Sequence, residues 1–292
     1  MCKKIVTNSG LALLLLKKDF TAKVISSPLA SDNILIPRLI NHQSQEYLIT
    51  KIENNAFKFN ESIKKITFPD NSAVISIGKN CLKKSSIESI EIPPSVEELE
   101  EGWCNLATKL HHIKISPKNQ HFKYSDYDPQ IIVGKSDKTI DEYDVLISGT
   151  RDIKAVKIPP NIKTINSYAF SGCELLETVE ISENSELQKI GKKAFSNSLV
   201  HSLFIPSKVE KIEGITFSEM ANLNRVLISP KNRFFKYADE DQKIVVGKSD
   251  KNNDNYDVLI NASCDLTKAK IPSNIKKIDS YSFFNCQNLK KV

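Results

Sequence analysis

Residues 157–173 read KIPPNIKTINSYAFSGC, and residues 270–286 read KIPSNIKKIDSYSFFNC. The two stretches stand 113 residues apart. The same offset carries ISPKNQHFKY (115–124) onto ISPKNRFFKY (228–237), VGKSDK (133–138) onto VGKSDK (246–251), and YDVLI (143–147) onto YDVLI (256–260). Residues 115–179 align with 228–292 without a gap, and 37 of the 65 positions are identical. Chance does not produce that, so the chain is built on an internal duplication.

A shorter period runs inside each copy, with the pattern I-x-x-x-A-F-x-x-C-x-x-L-x-x-I-x-I-P-x-x-V-x-x-I. Its strand-ending residues are Phe68, Ile92, Ile115, Ile158, Ile181, Ile205, Ile228 and Ile271, with gaps of 24, 23, 43, 23, 24, 23 and 43. A unit of 23–24 residues containing L-x-x-I-x-I falls in the range of leucine-rich repeats. The I-x-I alternation predicts a strand with one buried face, and A-F supplies two further core residues from the opposite wall. Stacked units then close one continuous core, with Phe170 and Phe283 buried in equivalent sites. The two gaps of 43 residues each hold an insert with two β-rich runs, near 125–147 and 238–260. A hairpin in the solenoid turn is the expectation, and a degenerate extra rung is the competing one.

The expected fold is a β-rich repeat solenoid with short helical or irregular segments on its convex side. Residues 1–50 are expected to form an N-terminal β-hairpin cap, and residues 51–292 the solenoid. Leu11 to Leu16 is too short for a signal-peptide core and ends in Lys17, Lys18 and Asp19, which favours a buried strand. Val292 is the V of a further L-x-x-V, so the native chain is expected to continue with I-x-I-P-like sequence.

The A-F-x-x-C-x-x-L-x-x-I-x-I-P unit and the N-x-x-F-K-Y…V-G-K-S-D…Y-D-V-L-I insert resemble the BspA-like leucine-rich-repeat surface antigens, protist members especially. NILIP at 33–37, the polar tip at 41–46 and YLITKIENNAF at 47–57 extend the likeness to residues 33–292. The second, third and sixth units depart from A-F with Cys81–Leu82, Trp103–Cys104 and Thr216–Phe217, all core-sized. The resemblance implies a cell-surface or secreted adhesion or antigen protein that contacts proteins or glycans.

Composition narrows the function. A formal net charge of +6 on 292 residues is a mild basic excess, short of what a nucleic-acid-binding surface carries. No apolar run approaches the roughly 20 residues that span a bilayer. Six cysteines lie scattered with no CxxC, against a zinc module or disulfide scaffold.

The V-G-K-S turns at 133–136 and 246–249 invite comparison with a P-loop. The first glycine of that motif is replaced by Pro129 and Gln242. Asp126/Asp128 and Asp239/Glu240/Asp241 lack the Gly and distal Glu of an EF-hand, so no metal site is expected. His111 and His112 stand near Cys104, but the second copy has Asn224 and Arg225 there, against a catalytic dyad. No catalytic residue, cofactor or enzymatic activity is expected. Asn60-Glu-Ser and Asn261-Ala-Ser are glycosylation triplets if the chain is secreted.

A surface remains. The third and fifth residues of L-x-x-I-x-I project from the concave sheet, the usual binding face of a solenoid. They include His112, Lys114, Lys157, Arg225, Lys268 and Lys270, a basic set, and the apolar pair Phe204 and Leu227 on adjacent strands. An exposed apolar pair ringed by cations is a candidate hot spot for a protein or anionic glycan ligand. An intracellular protein-interaction scaffold with the same binding physics is the alternative.

Overall fold

The computed structural model describes residues 2–291. The chain forms two compact units: Met1–Tyr124 with Ile132–Asp141, and Ser125–Ile131 with Glu142–Val292. Each is a stack of rungs about 23 residues apart, and no helix occurs among the described residues.

In the first unit Cys2–Val6, Ala12–Leu16 and Thr21–Val24 form an antiparallel meander, whose last strand pairs in parallel with Gln45–Ile52. Leu11, Leu13 and Leu15 are buried here, as one face of an apolar run must be. Leu39–His42 and Gln45–Ile52 make a hairpin. Two parallel ladders then rise side by side. One joins Asp32–Leu35, Ile63–Thr67, Ser89–Ile92 and His112–Ile115, the strands expected from I-x-I. The other joins Gln45–Ile52 to the two-residue strands Ser76–Ile77 and Glu98–Leu99. The second unit repeats the scheme. Ala155–Lys157 pairs with Thr178–Glu180 and Ser202–Ile205 with Arg225–Ile228, while Val145–Gly149, Thr164–Ile165, Lys189–Ile190 and Lys211–Ile212 form the second ladder. The side expected to be helical or irregular therefore carries short strands, built on the V-x-x-I end of each repeat.

Between those strands lies the A-F loop, which has its own backbone signature. In seven loops two residues four apart adopt positive φ: Asn55/Phe59, Asn80/Lys84, Gly102/Leu106, Tyr168/Gly172, Lys193/Asn197, Ile215/Glu219 and Tyr281/Asn285. This turns amides toward the next rung. Tyr168, Phe170 and Gly172 N–H donate to Lys192, Ala194 and Ser196 O, and Asn55, Phe57 and Phe59 N–H to Lys79, Cys81 and Lys83 O. The loop thus forms a further backbone ladder and satisfies groups that a buried turn would otherwise orphan. Inside it the rings of Phe170 and Phe195 stack at 5.4 Å, both fully buried.

Phe283 departs from expectation. It is only half-buried, against Leu259 and its neighbours. Phe170 is stacked on Phe195 of the following rung, a contact that Phe283 lacks among the described residues.

Buried asparagines brace the turns. Asn119 Nδ2 donates to Pro93 O and Val96 O at 2.9 Å each, while its Oδ1 accepts from the N–H groups of His121 and Phe122. Asn232 repeats all four bonds. Asn60 does the equivalent for Ser27 O and Ala30 O. Asn60 and Asn261 are both buried, so neither glycosylation triplet presents an accessible acceptor in the folded chain.

In the second insert Phe235–Tyr237, Ile244–Gly247 and Val258–Ala262 run antiparallel, and the last of these pairs in parallel with Lys277–Ile278. The chain folds back as a hairpin and its return strand carries the next rung. Val292 and the continuation expected beyond it lie outside the described residues.

Candidate functional site

The repeated motifs have packing roles. Phe235 lies opposite Gly247, where a Cβ would come within 2.8 Å of its ring, so the glycine of V-G-K makes room for the phenylalanine of F-K-Y. Lys248 is almost wholly covered, with Nζ 3.2 Å from Asp254 Oδ1 and 5.2 Å from the Tyr256 ring centroid. Lys135 pairs with Asp141 in the same way. Ser249 N–H and Oγ bind the Asp257 carboxylate and, with Lys276, hold it below the usual carboxylate range. Tyr124 and Tyr237 hydroxyls donate to Ile113 O and Val226 O, tying each insert to its sheet. V-G-K-S is a clasp around the insert. It presents no loop of free amides for phosphate.

The other chemical candidates also resolve into structure. Asp239 accepts from Lys243 and Ile244 N–H and so closes a turn. Cys81, Cys104 and Cys173 are buried, and burial pushes the Cys81 thiol up, away from the nucleophilic thiolate. Among the described residues no three His, Cys, Asp or Glu side chains are grouped closely enough to hold a metal ion.

The surface pair fares differently. In the parallel register of Ser202–Ile205 and Arg225–Ile228, Phe204 faces Leu227 and Ser202 faces Arg225. Inward Leu203 and Val226 are buried, which leaves Phe204 half-buried and Leu227 38% exposed on the outer face. One pair of strands away, Lys157 faces Glu180. A groove of about 590 Å³ is lined by both strand pairs, including Lys157, Glu180, Ser202, Phe204 and Leu227. Tyr127, half exposed, borders it from the first insert, with Lys157 Nζ 5.7 Å from its ring centroid, within cation–π range. The repeat register does not place Tyr127. The available signal was an aromatic in one insert where the other has Glu240.

The remaining predicted residues are not brought to this groove. His112 and Lys114 are exposed on the first unit, in register with Ser89 and Glu91, and Lys114 Nζ lies 3.4 Å from Glu91. Arg225, Lys268 and Lys270 are exposed on the second unit outside the groove lining. Lys268 makes an isolated bridge to Lys291.

The profile of the BspA type leucine rich repeat region matches six copies, at residues 39–128, 138–241 and 260–292. The chain belongs to the BspA-type leucine-rich-repeat family. Solved structures agree on the fold. A leucine-rich cell surface protein from Faecalibacterium prausnitzii A2-165 is similar to the whole BspA-type chain at 18% identity, with 76% of its own length covered and a TM-score of 0.52. A leucine-rich repeat protein from Eubacterium ventriosum ATCC 27560 likewise matches over the whole chain and 84% of its own, at 16% identity and a TM-score of 0.56. No curated protein matches the sequence. No helix among the described residues is long and apolar enough to cross a membrane.

Proposed function

We propose that this BspA-type chain is a non-enzymatic binding protein of the surface adhesion or antigen kind, contacting proteins or glycans through the outer face of its I-x-I strands. The observation that carries this reading is the groove in which Phe204 and Leu227 stand exposed side by side, where neighbouring rungs present charged or polar residues. Apolar side chains held in a groove and rimmed by charge are the usual composition of a binding hot spot. Lys157, Arg225, Lys268 and Lys270, with His112 and Lys114 on the first unit, act as steering charges for an acidic protein or anionic glycan. The cell surface protein of Faecalibacterium prausnitzii supports the compartment by its description. A second reading, an intracellular interaction scaffold, draws on the buried Asn60 and Asn261.

The test compares wild type with a Phe204→Ala/Leu227→Ala double variant on arrays of sulfated and sialylated glycans and extracellular-matrix proteins. The double variant should lose about 2–4 kcal/mol of binding to any ligand found, with its melting curve nearly unchanged. Charge reversal at Lys114, Lys157 and Lys268 should slow association and flatten its salt dependence. Unchanged binding in both sets would remove this face as the site.

A further inference from the structure

The second ladder of the second unit stops short. In each of its rungs the outward carbonyls accept from the rung that follows. Asp144 O and Leu146 O take Lys163 and Asn166 N–H, Lys163 O and Ile165 O take Lys189 and Gly191 N–H, and Gln188 O and Ile190 O take Lys211 and Glu213 N–H. The corresponding acceptors on the last rung, Lys211–Ile212, are Glu210 O and Ile212 O. Among the described residues nothing donates to either. The strand that the repeat would place next, Val258–Ala262, has both edges taken, by Ile244–Gly247 and by Lys277–Ile278. An unpaired strand edge is a template for another strand.

This edge faces a cavity of about 750 Å³. Its apolar wall includes Ile212, Phe235 and Val258. Its charges are arranged by height. The side chains of Lys211, Lys251 and Lys277 are 64%, 61% and 65% exposed, while Glu213 and Asp279, paired with Lys211 and Lys277, are 23% and 11% exposed. Of the exposed charges lining it, Glu210 is acidic, 37% exposed and 3.4 Å from Lys251, so the three lysines leave the rim net positive. Gly214 adds room. A Cβ at Gly78 or Gly191 would fall 2.6 or 2.4 Å from backbone of the rung before it, but a Cβ at Gly214 meets nothing within 4 Å. The first unit carries Glu101 at the same repeat position.

We propose that this edge binds an extended acidic peptide as an added strand. Peptide N–H groups two residues apart donate to Glu210 O and Ile212 O, the spacing a β-strand provides and a glycan chain does not. Acidic side chains of the peptide meet Lys211, Lys251 and Lys277, and its apolar side chains lie on Phe235 and Val258. This surface is independent of the groove at Phe204.

The test uses a fluorescein-labelled, end-capped decapeptide of alternating Val and Glu, read by fluorescence anisotropy, with amide hydrogen exchange at Ile212. Binding should protect that amide and weaken at least tenfold for three competitors: Gly214→Glu, Lys211→Glu with Lys277→Glu, and a peptide N-methylated at alternate residues. Gly214 is exposed and has no positive φ, so Gly214→Glu should melt as wild type does; the double lysine variant carries the test if it does not. The Phe204→Ala/Leu227→Ala variant should bind the peptide unchanged, so failure of the groove proposal would not touch this one. Absent binding, or equal binding of the N-methylated peptide, would overturn the proposal, the latter by reducing it to charge attraction. A dimer in sedimentation that Gly214→Glu abolishes would also overturn it, giving the edge to a second copy of the chain.

Discussion

Glu100 and Glu213, 113 residues apart, hold equivalent positions, each bound by one lysine, one serine and one backbone amide, of which only the amide comes from an equivalent residue. Glu100 accepts from Lys51 Nζ at 2.8 Å, from Ser76 Oγ and from Lys79 N–H. Glu213 lies 2.8 Å from Lys189 Nζ and accepts from Ser167 Oγ and Lys192 N–H. Burial alone would raise both carboxyls. The lysine and the two hydrogen bonds outweigh it and hold both below the ordinary value of 4.5. A lowered folded pKa stabilises above the unfolded value, and that contribution is lost as pH falls from 4.5 through the folded values. Glu100→Gln and Glu213→Gln should therefore be less stable than wild type at pH 7, with a smaller deficit at pH 3, in urea melts. A deficit of equal size at both pH values would show that charge is not its cause.

Asn119 ties two carbonyls and two amides in a buried turn, so its loss strands four groups at once. Asn119→Ala should cost about 3 kcal/mol or more, and Asn119→Asp at least as much, since a carboxylate cannot donate to Pro93 O and Val96 O. Asn232 makes the same bonds with more access to water, and Asn232→Ala should cost clearly less. Chemical denaturation of the three variants decides it.

Phe170 is fully buried under Phe195, and Phe283 is half-buried. Phe170→Ala should cost about 3–5 kcal/mol, Phe283→Ala about 1–2, and Cys173→Ala less than Phe170→Ala. Equal effects at 170 and 283 in calorimetry would contradict the packing described.

Ile215 adopts a φ of 65°, where a β-branched residue is strained. Asn fills the same position at 55 and 80. Ile215→Asn should raise stability by about 0.5–1 kcal/mol, visible as a higher Tm, because relief of backbone strain exceeds the loss of a partly buried side chain.

The repeat carried most of the fold because identity at a fixed offset is a property of the letters themselves. It placed I-x-I strands, the buried A-F and C positions, and Phe204 beside Leu227, since parallel register follows directly from repeat register. Other features left no such trace. Strands such as Lys189–Ile190 are two residues long, too short for an alternation to declare itself. Left-handed positions are held by Tyr168, Lys193 and Ile215 as well as by Gly and Asn, so the usual turn residues do not mark them. Asn119 sits in S-P-K-N-Q, which reads as solvated loop until the carbonyls it reaches, more than 20 residues away, are known. Tyr127 reaches the groove from an insert, whose path the repeat register does not dictate.

The left-handed pairs have a consequence for how such a gene can change. Their bonds run from amide to carbonyl and need no particular side-chain group, although a β-branched residue strains the backbone there, so Asn55 and Phe59 in one copy correspond to Tyr168 and Gly172 in the other with the loop intact. A duplicated rung inherits its turn without inheriting its surface. Whole rungs can be copied first and differentiated later, one outward residue at a time.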